Sequence, residues 1–174
     1  GVAAALARLS VVTGERAFAQ AARRAYRFVR RRHLQGSGNW PIAAAGDGSA
    51  AGGMMNGWCH GAPGIALSAI VAAGARPSPA ISRGIESALR SVVPWQPASA
   101  DHVCCGALGR ADVLLVAGEQ FGRADAVEAA RALAMRVVDR ARRRGHFKLS
   151  GVGTDYRVFD PGFFQGLSGI GYQL

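Results

Sequence analysis

The sequence is poor in lysine, cysteine, aromatic and acidic residues, and these shortages exclude several classes of protein. Three cysteines are too few, and odd in number, for the disulfide framework of a small secreted domain. No apolar run reaches the 18 residues of a membrane-spanning helix, so we expect no transmembrane segment. A hydrophobic content of 49% is too high for a disordered chain. These exclusions leave a globular protein. We expect its cysteines to serve as intracellular thiols or metal ligands.

The chain of 174 residues has room for at most one complete hydrophobic core. Its first residues lack an initiator methionine, a basic lead and a cleavage site, so they do not form a signal peptide. Its last residues, 171–174, stop in the middle of an apolar pattern. We therefore expect residues 1–174 to be part of one domain, truncated at the N-terminus and at the C-terminus.

The charge balance is strongly basic, with 21 basic residues against 11 acidic ones and a formal net charge of +10. Lys148 is the single lysine, so arginine carries nearly all of this charge. Such a charge balance can indicate a nucleic-acid-binding surface. DNA binding that weakens steeply with salt would be the evidence for one. Because the arginines are divided between two separate helices, we favour arginine-rich solvated helix faces and expect no nucleic-acid partner.

Hydrophobic periodicity predicts helices along the whole chain and no convincing strand. Amphipathic helices alternate with apolar segments that carry few charges, which is typical of helices buried on most sides. The amphipathic helices are predicted over residues 14–33, from Ser78 and Pro79 to the residues before Pro94, and over residues 123–144 with Gly145 as the stop. The buried helices are predicted to include residues 2–9, 64–70 and 108–116. A loop over residues 36–57 is long enough to be functional.

The pattern Gly-x-x-Gly repeats at the predicted start of each buried helix. The three copies lie at residues 61–64, 106–109 and 166–169, which are 45 and then 60 residues apart. Helix pairs at such a period predict an array of helical hairpins, either a solenoid or a closed ring. The paired glycines allow neighbouring helix starts to pack closely.

All three cysteines lie one or two residues before these glycine pairs. Cys59 lies two residues before the first pair, and Cys104 and Cys105 precede the second. A thiol at a helix N-terminus has a lowered pKa, which favours the thiolate. If the helix starts converge, three thiolates would form a Zn²⁺ site with one open coordination position, as in catalytic zinc sites. The alternative, that the cysteines are small buried hydrophobic residues, stays open on spacing alone.

Three longer motifs resemble those of a known family. Residues 57–65 read Gly-Trp-Cys-His-Gly-Ala-Pro-Gly-Ile, residues 102–110 read His-Val-Cys-Cys-Gly-Ala-Leu-Gly-Arg, and residues 161–172 read Pro-Gly-Phe-Phe-Gln-Gly-Leu-Ser-Gly-Ile-Gly-Tyr. In this order they resemble the two metal motifs and the closing motif of the lanthionine synthetase C-like family. The resemblance covers essentially the whole chain. It implies an all-α fold, the C-terminal part of an α/α toroid of inner and outer helices.

The vicinal pair Cys104-Cys105 narrows the resemblance to one class of enzyme within the family. Stand-alone cyclases and eukaryotic relatives carry Cys-His there, whereas Cys-Cys is similar to the C-terminal cyclase domain of class II lanthipeptide synthetases. The resemblance therefore implies a bacterial, cytoplasmic cyclase whose zinc ligands are Cys59, Cys104 and Cys105. It implies two partners, a dehydrated precursor peptide and the N-terminal dehydratase domain of the parent enzyme. The implied reaction adds peptide cysteine thiols to dehydroalanine or dehydrobutyrine, which closes lanthionine and methyllanthionine rings.

The resemblance implies that the general acid of the family's reaction lies outside this sequence. The resemblance places the catalytic histidine in a His-Gly-x-x-Gly motif whose second glycine corresponds to Gly1, so the histidine lies upstream. We therefore expect the chain alone to bind zinc without cyclising peptide. His60, next to Cys59, stays open as a fourth ligand or substitute acid. His102 is expected to cap a helix or to support the site from outside.

Two other functions stay open on the sequence alone. A metal-free helical toroid could bind peptide or carbohydrate without chemistry, and absence of zinc would favour it. The eukaryotic relatives suggest addition of the glutathione thiol, against which the Cys104-Cys105 pair counts. A measurement of the metal content of the chain distinguishes the metal-free toroid from the cyclase.

Overall fold

The computed structural model describes residues 1–33, 38–42, 53–73, 77–92, 100–149 and 159–174. These residues form α-helices and no strand, apart from an isolated antiparallel bridge between Pro41 and Met54. The predicted all-α fold class is therefore confirmed. None of the described helices is both long and apolar enough to cross a membrane. The helices are α1 (Val2–Thr13), α2 (Arg16–Arg31), α3 (Ala62–Ala73), α4 (Pro79–Val92), α5 (Ala107–Phe121), α6 (Ala124–Arg144) and α7 (Leu167–Gln173).

Glycine and proline set the helix ends where the sequence predicts them. The helices α3, α5 and α7 each begin directly after the first glycine of a Gly-x-x-Gly pair. Helix α4 begins at Pro79, whose missing N–H is not needed in a first helical turn. Helix α6 ends at Arg144, where Gly145 adopts a left-handed φ of 77°. The predicted stop at Pro94 lies outside the described residues, as do residues 36–37 and 43–52 of the predicted loop.

The chain divides into two compact units, of which the second contains all three cysteines. In this second unit, α5 packs against α6 and α7. Its core buries Leu108 of α5, Val137 of α6 and Ile170 of α7. The first unit comprises Gly1–Asn56 and His60–Ser91, and the second comprises Gly57–Cys59 and Val92–Leu174.

In the first unit, Asn39 and Trp40 tie the residues after α2 to helices of the same unit. Trp40 donates its indole N–H to the Val29 carbonyl at 2.8 Å. The Asn39 side-chain oxygen accepts the N–H of Ala62, the first residue of α3, at 2.8 Å. Its amide group donates to the Met55 carbonyl at 2.9 Å. These two side chains therefore stabilise the fold of this unit.

The prediction that residues 2–9 form a buried helix is wrong in its burial. The helix α1 forms, but only Ala3 and Ala4 are buried, while Val2 is 72% exposed and Leu9 is 40% exposed. Within its unit α1 packs against α2 and α3, which leaves its remaining faces uncovered there. Apolar composition favours burial, but it does not supply the neighbours that burial requires.

Candidate metal centre

The second and third glycine motifs fold with the same backbone geometry. The N–H of Ala107 donates to the Ala100 carbonyl at 3.0 Å, and sixty residues later the N–H of Leu167 donates to the Asp160 carbonyl at 2.8 Å. A Cβ on the first glycine would lie 2.3 Å from the carbonyl oxygen four residues earlier in the second motif, and 2.5 Å from it in the third. A side chain at either glycine would therefore break the loop. The sequence repeat is thus a structural repeat within the second unit.

The first motif needs its glycine for one additional reason. Gly61 has a left-handed φ of 107°, and a Cβ there would lie 2.0 Å from the Met55 carbonyl oxygen. Gly106 and Gly166 have φ values of −93° and −120°, which any residue can adopt. Glycine therefore serves both a positive φ and a close approach of backbone in the first motif, and the close approach alone in the other two.

The three cysteines form one compact group in the second unit. Their Sγ atoms lie within 4.8 Å of one another. In the part of the chain that the structure describes, no other group of three or more histidine, cysteine or carboxylate side chains is close enough to share a metal ion. Cys59 is exposed, while Cys104 and Cys105 are half-buried. A small ion can therefore reach the group from solvent.

Backbone hydrogen bonds hold the segments that precede the glycine pairs side by side. The N–H of Cys59 donates to the Cys104 carbonyl at 3.2 Å, and the N–H of Cys104 donates to the Phe164 carbonyl at 2.8 Å. Gly57 permits this approach, because a Cβ there would lie 3.0 Å from the Cα and Cβ of Cys105. Two of the segments supply thiols, and the third supplies a backbone acceptor.

The protonation state of the thiols differs from the one predicted. Partial burial of the sulfur, then the hydrogen bond to Cys104 and the negative charge of the neighbouring thiols, raises the pKa of Cys59 to about 12. Burial and the adjacent Cys104 likewise raise the pKa of Cys105. The expectation of a pKa lowered by a helix N-terminus is wrong here, because desolvation and repulsion between sulfurs outweigh the helix. The thiols of Cys59 and Cys105 are therefore protonated at neutral pH.

The donor set suits a divalent metal ion that prefers sulfur ligands. Zn²⁺ binds thiolates at about 2.3 Å in a tetrahedron, which separates the sulfurs by about 3.8 Å. Sulfurs already within 4.8 Å of one another need only small side-chain rotations to reach that separation. A cation among the sulfurs would also remove the repulsion that raises the pKa values. Neither His60 nor His102 belongs to the group.

An aromatic cluster joins residues that adjoin the cysteines in sequence or through backbone pairing. The ring of Trp58, the residue before Cys59, lies 5.2 Å from that of Phe164 between centroids. Phe163 packs edge-on against Phe164 at 5.4 Å, and Tyr172 lies 5.4 Å from Phe163. Phe164 is 49% exposed and Tyr172 is 75% exposed. An aromatic cluster that solvent can reach therefore includes the residue before Cys59 and the residue whose carbonyl accepts the Cys104 N–H.

A buried carboxylate anchors the loop that carries Cys104 and Cys105. Asp101 is 1% exposed, and it accepts hydrogen bonds from the Arg140 guanidinium of α6 and from the N–H of Lys148, the latter at 2.7 Å. Its own N–H donates to the Lys148 carbonyl at 2.7 Å. This pair cannot be found from the sequence, because nothing local distinguishes Arg140 from the solvated arginines of α6.

Two further buried polar residues lie close to the cysteines in the chain. Arg110, in the first turn of α5, is 2% exposed, and burial lowers its pKa to about 9. A charged residue inside a segment predicted to be buried is the sequence signal that could have found it. His102 is 3% exposed, and burial lowers its pKa, so its ring is neutral at pH 7. Its Nδ1 makes no hydrogen bond to the residues that the structure describes.

Comparison with known proteins extends over both units. A protein-family model described as lanthionine synthetase C-like protein matches residues 1–174. No curated protein matches the chain. The matched range includes the three glycine motifs, the thiol group and the buried Asp101 and Arg110.

Proposed function

We infer the function of this chain from one premise: it belongs to the lanthionine synthetase C-like family. That family is associated with enzymes that form thioethers. We propose that the chain is the zinc-binding part of a lanthipeptide cyclase, which adds cysteine thiols of a dehydrated precursor peptide to dehydroalanine or dehydrobutyrine. The observation that carries this proposal is the grouping of the Cys59, Cys104 and Cys105 sulfurs within 4.8 Å of one another.

In this proposal the three cysteines hold zinc and leave a fourth position for the substrate. When bound, zinc would keep the substrate cysteine as a thiolate at neutral pH, where a free thiol with a pKa of about 8.5 is mostly protonated. Three protein thiolates and one substrate thiolate exceed the charge of the ion by about two, so the substrate sulfur stays loosely held and nucleophilic. The exposure of Cys59 supports approach of a peptide from solvent.

The exposed aromatic cluster supports a peptide as the substrate. Phe163 and Phe164 are 43% and 49% exposed, and both belong to the cluster that includes Trp58. Exposed rings beside a reactive position offer apolar contact to the side chains that flank the reacting cysteine. A free small thiol would leave this surface unused.

Cys105 supports the class II assignment, because stand-alone cyclases and eukaryotic relatives carry histidine at the corresponding place. On this assignment residues 1–174 are part of a cyclase domain of a bacterial, cytoplasmic enzyme. Its partners are the dehydrated precursor peptide and the dehydratase domain of the same enzyme. The same residue counts against glutathione as the substrate.

Among the described residues, no histidine or carboxylate joins the group of three thiols as a candidate general acid. Protonation of the enolate that follows thiol addition needs an acid of suitable pKa at the reacting carbon. His102 is buried, with a pKa that burial lowers, and His60 is exposed and outside the thiol group. We therefore propose that this chain alone binds zinc and a substrate thiol without closing rings.

The metal content of the purified chain tests the proposed function. We expect one zinc ion per chain by plasma emission spectrometry, after removal of loosely bound metal. His60→Ala serves as the control and should retain its zinc, because His60 lies next to Cys59 in sequence but outside the thiol group. A well-folded chain without zinc would overturn the cyclase proposal and favour a helical module that binds peptide or carbohydrate.

Zinc binding should release protons and strengthen as pH rises. The pKa values of Cys59 and Cys105 are raised, so both thiols hold their protons at pH 7 and lose them when the metal binds. We expect at least two protons per zinc, and an affinity that increases by about 100-fold between about pH 6.5 and 7.5. Calorimetry in buffers of different ionisation enthalpy counts the protons. Release of fewer than one proton per zinc would contradict this prediction.

A further inference from the structure

The positive charge of the chain is concentrated in the first unit. That unit contains eleven arginines and three acidic residues, a net charge of +8, whereas the second unit contains ten basic and eight acidic residues, a net charge of +2. Six of the eleven arginines belong to α2, which has no acidic residue. The helix α6 also has six arginines, but three acidic residues lie among them. The basic character of the chain therefore resides mainly in one helix.

The arginines of α2 face solvent without acidic partners. The ion pairs of the described residues join Arg123 and Arg140 to aspartates of the second unit, and none involves an arginine of α2. Like charges three or four residues apart on a helix repel one another, so this arrangement destabilises α2 without a compensating contact in the chain. A face that served only for solvation could mix both signs, as α6 does. We call the exposed residues Arg23, Arg24, Arg27, Arg30 and Arg31 the arginine face.

Two concavities of the first unit meet at this face, and Arg27 lines both. The smaller one, of about 560 Å³, lies along α2 between Arg24, Arg31 and Phe28. The larger one, of about 810 Å³, is lined by residues of α1, α2, α3 and the start of α4. Its lining combines exposed arginines with the buried Ala22 and Ala69. The arginine face therefore adjoins a concave surface that has apolar as well as basic lining.

We propose that the arginine face and the adjoining concavities bind an acidic, amphipathic peptide segment. Its carboxylates would pair with the guanidinium groups, which present planar, two-pronged donors that match carboxylates. Its small apolar side chains would enter the alanine-lined concavity, as in the docking of an amphipathic segment into a groove. This inference goes beyond the proposed function, because it involves the first unit and requires neither a metal nor a thiol.

The shape of the surface favours a peptide over other polyanions. A nucleic-acid duplex carries phosphates but no apolar side chains that could fill the concavity. The aromatic ring of α2, Phe28, is 59% exposed, but the Arg32 guanidinium covers one face of the ring at 3.9 Å from its centroid. That face is closed to a stacking base, and the guanidinium keeps a charge where a membrane-inserting helix would be apolar. A second copy of this chain is excluded as the partner, since two faces of the same charge repel.

The test measures binding of a synthetic peptide to the full chain by fluorescence anisotropy. The probe is a labelled peptide as long as α2, in which glutamates follow one helical face and alanines and leucines the other. We expect saturable binding that weakens as salt is added, and a loss of about 10-fold or more when glutamine replaces glutamate in the peptide. Binding of both peptides with equal affinity would contradict charge recognition.

Two triple variants of equal net charge provide the decisive comparison. Arg24→Gln, Arg27→Gln and Arg31→Gln, combined, should weaken peptide binding by about 10-fold or more, because three ion pairs are lost at once. The matched control removes three exposed arginines of α6 and should bind within about threefold of wild type. Its substitutions are Arg136→Gln, Arg142→Gln and Arg143→Gln. Circular dichroism verifies the fold, and the single variant Arg27→Gln replaces the first triple if that one does not fold.

The outcomes separate this inference from the proposed function. Equal losses in the two triple variants would overturn the proposal, because net charge alone would then explain the binding. Tighter binding of a DNA duplex or of anionic phosphatidylserine vesicles, lost only in the α2 variant, would overturn the choice of a peptide. A chain that binds zinc but no acidic peptide would refute this inference alone. A chain that binds the peptide but no zinc would refute the proposed function alone.

Discussion

Replacement of Cys59, Cys104 or Cys105 by alanine, one at a time, should remove stoichiometric zinc, with a loss of affinity of roughly 10³-fold in each case. The three sulfurs lie within 4.8 Å of one another, so each variant leaves only two thiols. Apparent binding free energies at structural zinc sites are about 10–16 kcal/mol, and loss of one of three protein ligands removes about 4 kcal/mol. Competition with a chelating dye measures the loss. Similar losses in all three variants would indicate one shared ion.

Serine variants and a histidine variant separate ligand loss from misfolding. Cys→Ser at each position nearly preserves the side-chain size and removes the soft sulfur donor, so it should lose zinc as the alanine variants do. Full zinc retention after replacement of any one cysteine would remove that residue from the ligand set. Zinc loss in His60→Ala would make this histidine a ligand and would contradict an open fourth position. If the cysteines are merely small buried residues, no variant changes the metal content.

Asp101→Ala should destabilise the chain by about 2–4 kcal/mol. The substitution removes a carboxylate that is 1% exposed and leaves two donors without their acceptor, the Arg140 guanidinium and the Lys148 N–H. A buried donor without an acceptor costs more than its hydrogen bond contributes, which explains the large effect. Urea unfolding followed by circular dichroism measures the loss. Zinc affinity should fall with it, because Asp101 anchors the loop that carries Cys104 and Cys105.

The second aspartate–arginine pair of the described residues supplies the matched control. Asp125 pairs with Arg123, and their side chains are 68% and 30% exposed. Asp125→Ala should leave the stability and the zinc content unchanged, because exposed ion pairs contribute little. A double-mutant cycle of Asp101→Ala with Arg140→Met should show strong coupling, since the arginine no longer needs its acceptor once both are removed. Additive effects would contradict the pairing.

The helix ends and the thiol grouping could be predicted because their causes are local. Proline at position 79 and glycine at position 145 begin and end helices through their own backbone conformations. The helix starts at Ala107 and Leu167 follow glycines that accommodate backbone four residues earlier. Because the repeat places equivalent residues at equivalent helix starts, it predicted which side chains would meet. The same three cysteines lie together in the structure.

Burial could not be predicted as well, because it depends on neighbours that are distant in sequence. Helices α1 and α3 are both predominantly apolar, yet Val2 and Leu9 of α1 are exposed while Ala66 and Ile70 of α3 are buried. The residue type of Arg110 does not set it apart from the other arginines of the chain, but in the fold its side chain is only 2% exposed. Composition states what a residue prefers, and only the packing determines what surrounds it.

The sequence by itself determined the all-α class, the helix start at Pro79, the helix end before Gly145, and which thiols lie just before the glycine pairs of the repeat. The tertiary structure alone decided the electrostatics of the site. It paired Asp101 with an arginine 39 residues away, buried Arg110, and made the pKa of Cys59 higher where a helix end predicted it lower. The physical reason is range: hydrophobic periodicity and the conformational freedom of glycine act over a few residues, whereas desolvation and charge repulsion depend on groups that only folding brings together.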